Sequence, residues 1–172
     1  MENSKIKTRS ELLTLVAEHQ HCGRKVVFTN GCFDLIHVGH IRYLQQARQQ
    51  GDVLIVAINS DASVRKIKGP HRPVLCESER GRILAAFQMV DYVTVFDEVD
   101  PWQIISELRP DILVKGGDYQ IDEIVGHDLI LKAGGQVLAV PLVPRVSTSG
   151  VIQTILARYE SPGTSQDGAK SS

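Results

Sequence analysis

The sequence predicts an α/β fold: a doubly wound, five-stranded parallel sheet with helices on both faces. Three observations carry that expectation. Short runs rich in Val and Ile alternate with segments of helical period along the whole chain. Those runs are apolar almost throughout, as strands covered on both faces must be. The chain has 172 residues, enough for one core that removes roughly 70% of the unfolded surface from water without a metal or disulfide staple.

Lys25–Asn30, Val53–Asn59, Tyr92–Phe96, Ile112–Lys115 and Gln136–Pro141 read as the five strands. A leading helix over about Ser10–His19 has Thr8 and Glu11 at capping-box spacing and Gly23 as its exit. Val38–Gln50 carries Ile41, Leu44 and Ala47 at helical spacing and stops at Gly51. Ser78–Met89 follows the same pattern, Pro101–Leu108 starts on a first-turn proline, and Ile121–Lys132 ends before Gly134-Gly135. A last helix spans about Thr148–Tyr159. Strand–helix–strand alternation of this kind implies right-handed crossovers and parallel pairing. The expected organisation is an N-terminal helix over 1–24 packed on the core, one main domain over 25–160, and a disordered tail over 161–172 that has no large apolar residue.

Composition excludes several classes. A net charge of −1 argues against a general nucleic-acid binder, which needs a large positive excess. No stretch approaches the ~18 to 20 consecutive apolar residues of a membrane-spanning helix, and the N-terminus lacks a signal-peptide core. The three cysteines form no C-x-x-C pair or zinc spacing, which suits a reducing cytoplasm.

In a doubly wound sheet, ligands bind outside the carboxyl ends of the strands, where the strand order reverses. Four loops there carry chemistry. Thr29–His40 reads TNGCFDLIHVGH, and His37 and His40 share one face of a first helical turn, with Gly39 between them and free N–H groups that favour an anion. Two histidines without a carboxylate at zincin spacing make a poor metal site, so none is expected. Arg65–Arg72, RKIKGPHR, is a cationic loop fit to cover phosphates. Lys115–Tyr119, KGGDY, places a charged pair around two glycines. Arg145–Gly150, RVSTSG, offers three hydroxyls at a helix start, a second anion site. Neither G-x-G-x-x-G nor a P-loop occurs, so any phosphate here is held by helix starts, histidines and cations.

Taken together these segments resemble the cytidylyltransferase-like nucleotidyltransferase superfamily, whose H-x-G-H motif matches His37–His40. TNGCFDLIHVGH, AINSDASVRKIKGPHRPV, RPDILVKGGDY and VSTSGVI, in that order, resemble its adenylyltransferase branch, typified by bacterial ADP-heptose synthase. The likeness covers about Val26–Leu156. It implies a Rossmann-like nucleotidyltransferase fold and transfer of AMP from ATP to D-glycero-β-D-manno-heptose 1-phosphate, giving ADP-heptose and pyrophosphate for lipopolysaccharide core synthesis. A stand-alone cytoplasmic enzyme acting after a separate kinase and phosphatase is then expected, as a homodimer, with Mg²⁺ arriving on ATP and with no nucleic acid or membrane partner.

The resemblance also implies roles. His37, His40 and Lys68 would be catalytic, acting on the phosphates at the reacting centre. Asn30, Gly31, Phe33, Gly39, Arg80, Gly116, Asp118, Ser147, Thr148 and Ser149 would bind the nucleotide. Lys66, Arg72 and Lys115 would meet the substrate phosphate. Where that branch ends its last motif G-x-S-T-T, this chain has Arg145-Val146-Ser147-Thr148-Ser149, a point of similarity to cytidylyltransferases. The competing expectations are another sugar- or alcohol-phosphate nucleotidyltransferase, such as a glycerol-3-phosphate cytidylyltransferase, and a nucleotide-binding module without turnover.

Overall fold

The structure is a computed structural model that describes residues 4–141 and 147–159. Arg145 and the 161–172 tail lie outside the described residues.

Five strands, β1 (Val26–Gly31), β2 (Val53–Asn59), β3 (Tyr92–Phe96), β4 (Ile112–Gly116) and β5 (Gln136–Val140), form one all-parallel sheet in the order β3-β2-β1-β4-β5. The chain winds outward from β1 to β3, then crosses back to β4, so the order reverses between β1 and β4. This is the doubly wound sheet that the alternating apolar runs predict.

Side chains leave the strands on alternate faces with a period of two, which divides the core in two. Val26, Phe28, Ile55, Ala57 and Leu113 face one layer, covered by α1 (Arg9–His21), α5 (Trp102–Leu108) and α6 (His127–Lys132). Val27, Leu54, Val56, Ile58 and Val114 face the other, covered by α2 (Val38–Arg48) and α4 (Glu77–Ala85). Helix α1 starts on the capping box read from Thr8 and Glu11. Ahead of it the chain extends the sheet, with Lys7 donating to Val93 O and Val93 donating to Lys5 O at the edge of β3.

Two elements differ from expectation. The first half of the cationic segment, residues 65–68, is not loop but the end of a helix, α3 (Asp61–Lys68). Ser60 caps it by accepting from the Ser63 N–H, while Asp61 at its start and Arg65, Lys66 and Lys68 at its end match the helix dipole. The expected helix over Ile121–Lys132 is instead a 3₁₀ turn at Ile121–Glu123 followed by α6, separated by Gly126 at φ 87°. A Cβ there would stand 2.9 Å from Ile105 Cγ2, so glycine lets the chain cross α5 closely.

The final helix, α7 (Thr148–Tyr159), has the bounds expected and no fully buried residue.

Candidate active site

At the carboxyl edge of the sheet a cavity of about 550 Å³ opens between the ends of β1, β2, β4 and the start of α7. The β1–α2 loop forms its floor. Phe33 and Leu35 adopt φ of 47° and 49°, a left-handed path unusual for residues with side chains, and this folds the loop back under the cavity. That strain is offset by what the loop holds. The Asp34 carboxylate, 1% exposed, accepts from Arg72 Nε at 2.6 Å, from the Val74 N–H at 2.9 Å and from the Leu75 N–H at 3.0 Å. Burial alone raises the carboxyl's pKa; the two N–H groups and the guanidinium reverse this and hold it below the ordinary value.

The same loop reaches α7. Thr148 Oγ1 donates to the Asp34 carbonyl at 2.6 Å, and Ser147 caps the helix by accepting from the Gly150 N–H at 3.1 Å. The starts of α2 and α7 therefore share one cavity, with two helix N-termini converging on it.

His37 and His40 stack with ring centroids 3.9 Å apart and planes 21° apart, and Phe33 packs on His40 with centroids 5.3 Å apart. The His37 backbone N–H points to Nδ1 of His40 at 3.4 Å, which leaves the proton on Nε2. Burial, and then the neighbouring His37, push the His40 imidazole down to about 4. His40 is thus a neutral N–H donor at the cavity wall.

The cavity is cationic on one side, where Lys68, Arg72 and Lys115 reach it. Burial lowers the pKa of Lys115, an effect that Lys68 reinforces. On the other side lie Val99, Pro101, Tyr119 and Val125, an apolar wall. Gly117, at φ 136°, makes room for it: a Cβ there would stand 2.6 Å from the Tyr119 ring. Cations and helix starts on one side and an aromatic wall on the other suit a phosphorylated ligand with a flat base.

The cytidylyltransferase-like family matches residues 28–154, a span that contains every residue lining the cavity. The chain belongs to the cytidylyltransferase-like family. It is 53% identical over 158 residues to the bifunctional protein HldE of Syntrophotalea carbinolica, covering 92% of this chain and 32% of that protein. It is 48% identical over 157 residues to the HldE of Geobacter sulfurreducens, with 91% and 32% coverage. The chain therefore spans about a third of the length of the curated relatives it matches. Among solved structures, a lipopolysaccharide core biosynthesis protein from Thermoplasma volcanium superposes with a TM-score of 0.58 at 31% identity, covering 70% of this chain and 98% of that one.

In this cytidylyltransferase-like chain the cavity gathers Asn30, Gly31, Phe33, His40, Lys68, Arg72, Lys115, Ser147, Thr148 and Ser149 from the residues singled out in the sequence, and Gly116 lines a smaller pocket beside it. The others stand elsewhere. Arg80 is 0% exposed, and its guanidinium donates to the carbonyls of Cys32, Leu75 and Asn59 and to Asp61 Oδ1. It is an internal brace joining the ends of β1 and β2 and is not among the residues lining the cavity. Lys66 lies two residues before Lys68 on α3, about 200° around the helix, and points to solvent. Asp118 is exposed beyond Gly117 and does not line the cavity, whereas the neighbouring Tyr119 does. Gly39 is buried inside the first turn of α2. His37 stacks on His40 and is not among the residues lining the cavity; its buried Nδ1 finds no hydrogen-bond partner among the described residues.

Asp34, Asn59 and the 99–101 loop complete the site. Sequence reasoning misses the loop although it follows β3 at the carboxyl edge, where the sheet rule points.

Proposed function

We propose that this chain transfers AMP from ATP to D-glycero-β-D-manno-heptose 1-phosphate, releasing pyrophosphate and forming ADP-heptose. The observation that carries this reading is the convergence of a neutral His40 donor, Lys68, Arg72 and Lys115, and the hydroxyl-bearing start of α7 on one cavity. Identity near 50% to proteins named bifunctional protein HldE, and likeness to a lipopolysaccharide core biosynthesis protein, support the choice of acceptor.

A phosphate oxygen of the acceptor attacks the α-phosphorus of ATP in line. The new P–O–P bond forms as the bond from the α-phosphorus to the β-bridging oxygen breaks, and pyrophosphate leaves with that electron pair. The nucleophile is already ionised, so no side chain has to remove a proton. Catalysis is then positioning and charge stabilisation. His40 Nε2–H donates to the α-phosphoryl oxygens. Ser147 and Ser149 through their hydroxyls, and Thr148 through its backbone N–H at the α7 N-terminus, hold the β- and γ-phosphates, the Thr148 hydroxyl being bonded to the Asp34 carbonyl; Lys68 and Arg72 offset their charge. Mg²⁺ enters with ATP as part of the substrate, and we place the reaction in the cytoplasm, carried out by a homodimer.

Pyrophosphate release measured for ATP and CTP against heptose 1-phosphate, other sugar 1-phosphates and glycerol 3-phosphate tests the assignment. Turnover confined to ATP with the heptose is expected. Preference for CTP with glycerol 3-phosphate, or no release in any combination, refutes it.

A further inference from the structure

The loop between β3 and α5, residues 97–101, brings Val99, Asp100 and Pro101 to the wall of the cavity. It contains no helix or strand, so side chains have to hold it. Glu98 is where they do. Its carbonyl accepts from Ser63 Oγ at 2.8 Å and from Asn59 Nδ2 at 3.4 Å, which ties the loop to α3 and to the end of β2. Its carboxylate is held from α1, where Arg9 Nη2 donates to its two oxygens at 2.8 and 2.9 Å. Nη1 of the same guanidinium stands 3.5 Å from both carboxylate oxygens of Glu107 on α5. Arg9 thus joins the loop to the helix on either side of it in space.

Local chemistry does not account for Arg9. It is the first residue of α1, at the positive end of the helix dipole, where an acid is favoured and a cation is not. Thr8 and Glu11 already cap that start. A residue that breaks the local rule at a well-capped terminus has its reason in tertiary structure, and here that reason is Glu98. Arg9 lies outside residues 28–154, which match the family, and it does not line the cavity. Burial alone raises the Glu98 carboxyl's pKa; the hydrogen bonds from Arg9 are the largest effect that reverses this and holds it below the ordinary value. Without Arg9, a carboxylate only 27% exposed keeps its charge beside Asp97 and Asp100 in the same short loop. Water and like-charge repulsion then draw Glu98 outward. Val99 and Pro101 move with it, and the apolar wall loosens.

We infer that Arg9 is a positioning residue: through the Glu98 carboxylate it clamps the 97–101 loop against the cavity, so that α1 sets the affinity for the nucleotide from outside the site. The inference rests on the nucleotidyl-transfer reading above. The loop carries its own reporter. Trp102, the chain's one tryptophan, follows it directly, is 51% exposed and donates its backbone N–H to Asp100 Oδ1 at 2.9 Å. Its fluorescence follows the loop with no ligand present.

The test uses the full chain with Arg9→Gln, Glu98→Gln, the double variant, and Glu107→Gln as the control that removes the other acid without freeing the loop. Steady-state pyrophosphate release gives kcat and KM, calorimetry gives Kd for ATP alone, and time-resolved anisotropy gives the nanosecond motion of Trp102. Arg9→Gln and Glu98→Gln are each expected to raise KM and Kd for ATP about fivefold, with kcat and the acceptor's KM within about twofold. The double variant should be no worse than either single one, since both break the same link. Trp102 should move more freely in those three and not in Glu107→Gln, which leaves ATP affinity within about twofold. Should Arg9→Gln fail to fold, as thermal melting reports, Glu98→Gln against Glu107→Gln decides. Unchanged ATP affinity, additive losses in the double variant, or an equal loss in Glu107→Gln overturns the inference and shows that Arg9 merely docks α1. Absence of turnover alongside ATP binding that Arg9→Gln weakens, with Trp102 loosened, refutes the catalytic reading and leaves the clamp standing.

Discussion

Asp34→Asn probes the joint that holds the cavity together. The carboxylate is buried and accepts three N–H donors, two on Oδ2 and one on Oδ1. An asparagine oriented to keep the two Oδ2 bonds turns its own NH₂ against the Leu75 N–H; the opposite orientation sets it against Arg72 and Val74. Either way Arg72 loses its counter-charge, while its own side chain is only 15% exposed. Breaking a buried pair by removing one partner costs about 3–5 kcal/mol, and the two retained bonds place this case near 3. For a domain of this size that lowers Tm by about 6–12 °C. Urea denaturation followed by circular dichroism measures the loss directly. Because Arg72 and the 69–76 segment are tied to the cavity through Asp34, KM for ATP should rise in the same variant. A stability change under about 1 kcal/mol would show that the loop is held by its backbone path and that the carboxylate contributes nothing special.

The remaining predictions concern the cavity itself. His40→Ala, which removes the preorganised Nε2–H donor, should lower kcat about 10²- to 10³-fold with the fold intact, and near-normal turnover would remove the histidine from the chemistry. Lys68→Met should raise KM for ATP about tenfold while Lys66→Met leaves it within about twofold, since only Lys68 lines the cavity; equal effects would contradict the helical register of α3. A proton titration of the free protein by NMR should find His40 still neutral at pH 6, with its midpoint near the value of about 4. The sign for stability follows: the unfolded chain takes up that proton near 6.5 and the folded chain only near 4, so stability falls as pH drops through this window. At 1.36 kcal/mol per pH unit the full loss is about 3 kcal/mol, reduced to about 2 by the ring's partial access to solvent. A melting temperature flat from pH 7 to 4 would contradict the burial of the imidazole.

The strands were legible because both their faces are covered, so burial writes a continuous apolar run that few other structures require. Helix α3 was not. Among its eight residues only Ser63 and Val64 are buried, which leaves no apolar stripe to read, and its cationic end looks like a loop. The order of the histidines shows the same boundary within the site. Spacing of i, i+3 puts both rings on one face, and they do stack, but which ring fronts the cavity depends on the loop through Phe33 and on the α7 start, more than a hundred residues away. Arg80 is the sharpest case. An arginine beside a cationic cavity invites a ligand role, yet its acceptors come from the ends of β1 and β2, from Asp61 at the start of α3 and from the segment just before α4. Burying a guanidinium is costly unless its donors find acceptors, and here the fold itself supplies four of them. What a cation meets is set by which strand ends lie side by side, and that is a property of topology: the alternation of runs predicts that the ends converge, while the partner of each side chain follows only once the strand order β3-β2-β1-β4-β5 is known.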